Sequence, residues 1–211
     1  FICGSSQRMM QGLVLEESEP LYGRAREMIN LGPIGFGWTR KAFPRASLWN
    51  RFEHYAVWGG VPRYWEVCQG ERDLWETLRR QVFSPNGLFH DEPGFVLQND
   101  LQDAVQATSV LSLVGRGSER SAEIASRLGV PATSLARPLK RLLELGLVFR
   151  DTPFGSDEKS NKRTLYRLSD PFLRFWYTFV LPNYSDPYFL STSDEVASLA
   201  PAFRVFLGEA W

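Results

Sequence analysis

A mainly α fold with a small β component, class α+β, is predicted by three observations. Apolar residues recur at helical spacing in successive stretches between Lys41 and Leu145. Only a few short runs read as strands: Phe1–Ser6, Met28–Ile34, Leu147–Arg150 and Thr164–Leu168. The chain has 211 residues, 44% hydrophobic and 23% charged, enough to bury the core of one or two domains. Lysine plus arginine number 24, as do aspartate plus glutamate, so net charge is zero. That balance excludes a uniformly basic nucleic-acid coat and an acidic solvating tail, but leaves room for a local patch. The two cysteines, Cys3 and Cys68, lie far apart and outside any metal-type pair, which points to a reducing, cytoplasmic setting. No signal peptide is predicted. The longest apolar run, Phe172–Pro182, is too short to span a bilayer and carries Arg174.

In chain order, Phe1–Ser6 reads as a strand with a polar tip, and the opening Phe1-Ile2-Cys3-Gly4 as the end of a buried strand of a longer chain. Gln7–Leu15 fits a short helix, Glu16–Gly23 a loop and Met28–Ile34 a second strand closed by Gly32 and Pro33. Phe52, Tyr55, Ala56 and Trp58 mark a helix broken at Gly59-Gly60-Val61-Pro62. Arg72–Phe83 carries Leu74, Trp75, Leu78 and Val82 on one face, and Ser84-Pro85-Asn86-Gly87 is a turn. The pattern then sharpens. Helices are predicted at Gln102–Val114, at Ser121–Leu128 with a Ser121 cap and Gly129 stop, and at Ala132–Leu145 with a Gly146 stop. The two strands that follow are joined by the polar, basic stretch Gly155–Arg163. Three helices and a hairpin form the winged helix-turn-helix arrangement.

Charge supports attention to this segment. Residues 101–170 carry 11 basic and 8 acidic side chains, whereas residues 1–100 carry 11 and 12. In the third helix Leu135, Leu139, Leu142 and Leu143 form the core stripe, and Ser134, Arg137 and Arg141 fall opposite, with Lys140 beside them. Guanidinium and ammonium groups so placed can grip phosphates or guanine edges in a major groove. Lys159, Lys162 and Arg163 in the wing reach for a neighbouring phosphate. A solvated face on a protein-docking module explains the same charges. Pro138 is predicted to kink the third helix.

Several strings together resemble a known family: Cys3-Gly4-Ser5-Ser6, Pro20-Leu21-Tyr22-Gly23-Arg24-Ala25, Tyr55–Tyr64 around Gly59-Gly60-Val61-Pro62, and above all Leu165-Tyr166-Arg167-Leu168-Ser169-Asp170-Pro171-Phe172-Leu173-Arg174-Phe175-Trp176. In this order they resemble prokaryotic, archaeal-type P-loop ATPases of the AAA+/STAND superclass, with a winged helix and a C-terminal restriction-endonuclease-like domain of unknown function. The resemblance covers essentially the whole chain. It implies residues 1–35 as the tail of the ATPase core, 36–100 as a helical lid, 101–170 as the winged helix and 171–211 as a helical lead-in to a further domain. It places Ser5 and Ser6 at the sensor position that orients the attacking water, and Arg24 where an arginine reaches a phosphate. Gly60 and Pro62 would belong to the nucleotide-facing lid motif, with Arg63 as a lid-side sensor. Each has a plainer reading: a strand end, a surface ion pair, a helix break.

The sequence departs from the family in one decisive respect. It contains neither a Gly-rich phosphate loop with Lys and Ser/Thr nor a Walker B strand. ATP and Mg would be bound by the longer parent, and this chain alone would not hydrolyse ATP. The implied partners are DNA through the winged helix and a homo-oligomer, with no membrane and no resident metal. The alternatives from the same residues are a non-enzymatic DNA-binding regulator and a protein-docking scaffold.

Overall fold

Helix stops and caps divide the chain into two groups of elements. A computed structural model describes residues 17–19, 22–24, 26, 27, 29, 31–68, 73–95, 105–152, 164–186, 189 and 193–209. The first group begins with a 3-10 turn, Phe36–Trp38, running into α1, Thr39–Ala42. Ser47 then caps α2, Leu48–Trp58, by accepting a hydrogen bond from the Asn50 N–H. Gly59, at φ 58°, ends it, and Pro62 opens α3, Pro62–Cys68. Asp73 caps α4, Leu74–Leu78, which continues as a π-helical turn over Arg79–Phe83. The break predicted at Gly59–Pro62 is thus observed. The helix predicted over Arg72–Phe83 is present in part, but its last turn is π rather than α.

The second group starts at α5, Val105–Gly115, followed by α6, Ser121–Leu128. A 3-10 turn, Ala132–Leu135, leads into α7, Ala136–Glu144. Strands β1, Val148–Asp151, and β2, Leu165–Leu168, pair antiparallel with Val148 opposite Leu168 and Asp151 opposite Leu165. Glycines at positive φ end the helices: Gly129 after α6 and Gly146 after α7. Ile124, Leu135, Leu139, Leu142, Val148 and Leu168 are buried together with Val110 and Leu111 of α5. The three helices and hairpin predicted from periodicity are therefore observed in order.

Three local expectations are corrected. Ser121 is the first helical residue of α6, not its cap; Arg120 stands at the cap without a side-chain bond, and the Ser118 hydroxyl reaches the Glu123 carboxylate at 3.1 Å instead. Pro138 does not kink a helix interior, because the chain passes from 3-10 to α at Leu135–Ala136. That leaves Pro138 in the first turn of α7, where a missing N–H costs little. The strand predicted over Met28–Ile34 is absent from its described residues: Leu31–Ile34 is not in a sheet, and Ile34 donates its N–H to the Gly60 carbonyl at 2.8 Å. The predicted Phe1–Ser6 strand, the Gln7–Leu15 helix and the wing tip Gly155–Arg163 lie outside the described residues.

After β2, Asp170 caps α8, Pro171–Phe175, which runs on as a π-helical turn Trp176–Val180 and a 3-10 turn Leu181–Asn183. Helix α9, Ser193–Gly208, closes the chain. α8 packs on α2, so the first group and the C-terminal segment share one aromatic core. Trp58 stacks on Phe172 with centroids 5.3 Å apart, and the Trp176 indole donates to the His90 carbonyl at 2.7 Å.

Candidate functional site

The buried side of α7 and of the 3-10 turn before it holds Leu135, Pro138, Leu139 and Leu142. Because i, i+3 and i+7 positions share a helix face, Ser134, Arg137 and Arg141 lie together away from that core. Ser134, Arg137 and Lys140 are exposed and Arg141 is half-buried. Lys140 lies 3.7 Å from Glu144 one turn on, an exposed pair that restrains its ammonium weakly. Lys159, Lys162 and Arg163, the wing residues assigned to the same surface, are outside the described residues.

The nucleotide-linked residues are spread differently. Arg24 is exposed. Gly60 is buried and held against the backbone of Ile34; a Cβ there would stand 2.1 Å from the Ile34 carbonyl oxygen. Only glycine permits that approach. Pro62 and Arg63 are exposed at the start of α3, and Arg63 pairs with Glu66 at 3.4 Å. The requirement for glycine at position 60 is thus met by packing within the chain. Ser5 and Ser6 are outside the described residues.

A cleft of about 700 Å³ to which the sequence pattern assigns no role lies between α2, the end of α5, the hairpin and α8. Arg116, Arg167, Arg174, Tyr55, Phe149 and Tyr177 are among its walls. Arg167 brings its Nε to 3.0 Å from Asp151 and 3.5 Å from Glu119. The Nε is not aligned for a hydrogen bond, so charge proximity rather than a directed bond holds the trio. Arg174 lies over the Phe206 ring at 4.1 Å and donates to the Phe206 carbonyl at 3.3 Å. Burial holds its guanidinium below the ordinary arginine range, against the opposing pull of Glu209. Burial also pushes the Tyr177 hydroxyl up to about 12. Gly115 makes the wall close-fitting, because a Cβ there would meet the Tyr177 ring at 2.6 Å. The Leu165–Trp176 string contributes Arg167, Ser169, Pro171 and Arg174 to the cleft, but its pattern does not mark a hollow.

Among the described residues no three His, Cys, Asp or Glu side chains cluster to hold a metal. Nor is any helix of the described residues long and apolar enough to cross a membrane. Compared with known proteins, the chain is 28% identical over 184 residues to an uncharacterized protein of Methanocaldococcus jannaschii, MJECL04. The match covers 87% of this chain and 41% of that protein, so the chain spans less than half the length of its relative. No family model matches the chain, and no solved structure matches it.

Proposed function

We propose that this chain is the lid and winged-helix portion of a P-loop ATPase, in which nucleotide state sets the orientation of a winged helix that holds DNA. The observation that carries the reading is the exposed face formed by Ser134 of the 3-10 turn and Arg137 and Lys140 of α7, opposite the buried Pro138, Leu139 and Leu142, inside a three-helix-plus-hairpin unit. Such a helix offers donors to phosphates and base edges while its leucines anchor it. The ATPase half of the reading rests on the ordered motif resemblance and on a relative much longer than the matched region. In the parent polypeptide ATP and Mg are held by a phosphate loop, and Arg63 and Arg24 face the nucleotide from the lid and core sides. Ser5 and Ser6 orient water at the sensor position. Hydrolysis then moves the lid, and α8, which packs on α2 and directly follows the hairpin, carries that motion to the winged helix. Lys159, Lys162 and Arg163 add the wing's grip on a phosphate, and Arg141 supports the same face. The protein acts in the cytoplasm as part of a homo-oligomer.

The test uses the intact parent and a labelled duplex. Duplex affinity is expected to change on adding a non-hydrolysable ATP analogue, and Arg137→Glu with Lys140→Glu to abolish binding in both states. Equal affinity with and without the analogue overturns the coupling. Unchanged affinity of the double variant overturns the winged helix as the DNA-holding element.

A further inference from the structure

A second stretch of the chain, Trp38–Trp49, has the residue chemistry of a nucleic-acid platform and owes nothing to α7. From Leu31 to Phe52 the chain carries Arg40, Lys41, Arg45 and Arg51 and no acidic residue. Arg40, Lys41 and Arg45 are exposed, and none forms an ion pair among the described residues. Two tryptophans interleave with them and are 56% and 60% exposed: Trp38 at the end of the 3-10 turn and Trp49 in the first turn of α2. Exposure of large rings in a chain that buries most of its aromatics needs a cause. Both rings are held in place. Lys41 sits 4.5 Å over the Trp38 ring, and the Trp49 indole donates to Glu53 at 3.0 Å.

We propose that Trp38, Arg40, Lys41, Arg45 and Trp49 form a docking surface for single-stranded nucleic acid. The tryptophans stack unpaired bases and the three cations take the phosphates. Aromatic side chains reach base faces only where the bases are unstacked, which selects single strands over duplex. Three exposed cations, Arg40, Lys41 and Arg45, give the charge complementarity that a polyphosphate backbone requires, and the next carboxylate along the chain, Glu53, is held by the Trp49 indole. A membrane surface fits less well. α2 turns Phe52, Ala56 and Val57 into the protein core and exposes only Leu48 and Trp49 at its start. An interfacial helix instead presents a continuous apolar stripe to lipid. The surface is independent of the α7 face, so either proposal stands without the other.

The experiment measures affinity of this chain for labelled oligo(dT) by anisotropy across a salt series, with a random-sequence duplex and anionic phosphatidylserine vesicles in parallel. Trp38→Ala and Trp49→Ala are each expected to weaken oligo(dT) binding by about 5- to 100-fold, the loss of one base stack. Arg40→Gln with Lys41→Gln and Arg45→Gln should flatten the salt slope by about 2, from roughly 0.7 per phosphate contact. Arg204→Gln, exposed on α9, should leave oligo(dT) affinity unchanged, and Arg137→Glu with Lys140→Glu, on α7, is measured in parallel to separate any loss through that face. All these positions are exposed, so circular dichroism should show native folding, and Trp38→Phe and Trp49→Phe should restore most of the affinity. No binding of oligo(dT) by the folded wild type overturns the proposal. So does binding lost only through the α7 variant, or vesicle binding without oligonucleotide binding.

Discussion

The two groups of elements solve the same packing problem with different side chains. Between Val105 and Leu168 the buried set is almost wholly aliphatic, with Tyr166 as its one large ring among the described residues. Between Phe36 and Phe95, and again from Phe172 to Phe206, the buried set is rich in Phe, Tyr and Trp, with Trp58 in contact with Tyr64, Phe89 and Phe172. The helices differ to match. α6 and α7 have no side-chain cap, whereas α2, α4 and α8 are capped by Ser47, Asp73 and Asp170; glycines at positive φ follow helices in both groups, Gly59 after α2 as well as Gly129 and Gly146. Small aliphatic side chains let regular helices meet at uniform depth. Large rings demand particular approach angles, and the backbone yields to them at the π turns Arg79–Phe83 and Trp176–Val180. Shape therefore matters more in the aromatic group.

The sharpest way to break that contrast is at the centre of each core. Trp58→Ala is expected to lose about 3–5 kcal/mol and Leu111→Ala about 2–5 kcal/mol in urea denaturation. Trp58→Phe separates ring shape from polarity. The buried Trp58 Nε1 has no hydrogen-bond partner, so removing it with the indole offsets part of the lost area. We expect Trp58→Phe to stay within about 1.5 kcal/mol of wild type with its near-ultraviolet circular dichroism largely kept. A Phe variant as damaged as the Ala variant would show that the indole shape itself is required.

The same contrast explains what could be read in advance. The aliphatic unit was legible because its leucines keep a 3.6-residue period through α7 and its glycines mark real helix ends. Helix existence in the aromatic group was also legible, from Phe52, Ala56 and Trp58 on one side of α2. Its π turns were not, since a π turn shifts the face by a residue without leaving a compositional mark. Nor was the sharing of one core by segments more than a hundred residues apart. Of the candidate site, the exposed face of α7 follows from its helical period alone. The cleft did not follow: Arg167 and Arg174 come from a string noticed only for its resemblance, and Arg116 comes from a loop.

A second, smaller effect lies at His54, which the aromatic group buries against the Phe43 ring at 4.9 Å. Its Nδ1 has no hydrogen-bond partner, and desolvation lowers its pKa from 6.5 to about 4, partly opposed by Asp73. A histidine with a lowered native pKa binds protons more readily when unfolded. Stability is therefore full above about pH 6.5 and falls as the pH drops toward 4, by about 3 kcal/mol in all. His54→Phe keeps the stack and removes the proton site, so its urea midpoint should be flatter across that window. A slope equal to the wild type's would place the acid sensitivity elsewhere. The aliphatic unit contains no histidine and should show no counterpart.

The smallest effect concerns how the two groups begin and end their helices. Asp170 stands between β2 and α8 and accepts the Leu173 N–H at 3.0 Å. Burial raises its pKa, and its bonds to the backbone of Leu173 and Phe172 pull the other way. The carboxylate is thus useful as an acceptor and costly as a charge. Asp170→Asn keeps the acceptor and drops the charge, so at neutral pH it should match or exceed the wild type. Asp170→Ala loses the acceptor and should fall by about 1 kcal/mol. The counterpart in the aliphatic unit is Gly129→Ala, which forces a Cβ into the left-handed region at φ 66°. That change should also cost about 1 kcal/mol, with open space around the Cβ and no packing penalty added. If Asp170→Asn proves as weak as Asp170→Ala, the charge itself holds α8 in place, and the aromatic group depends on electrostatics that its uncapped neighbour lacks.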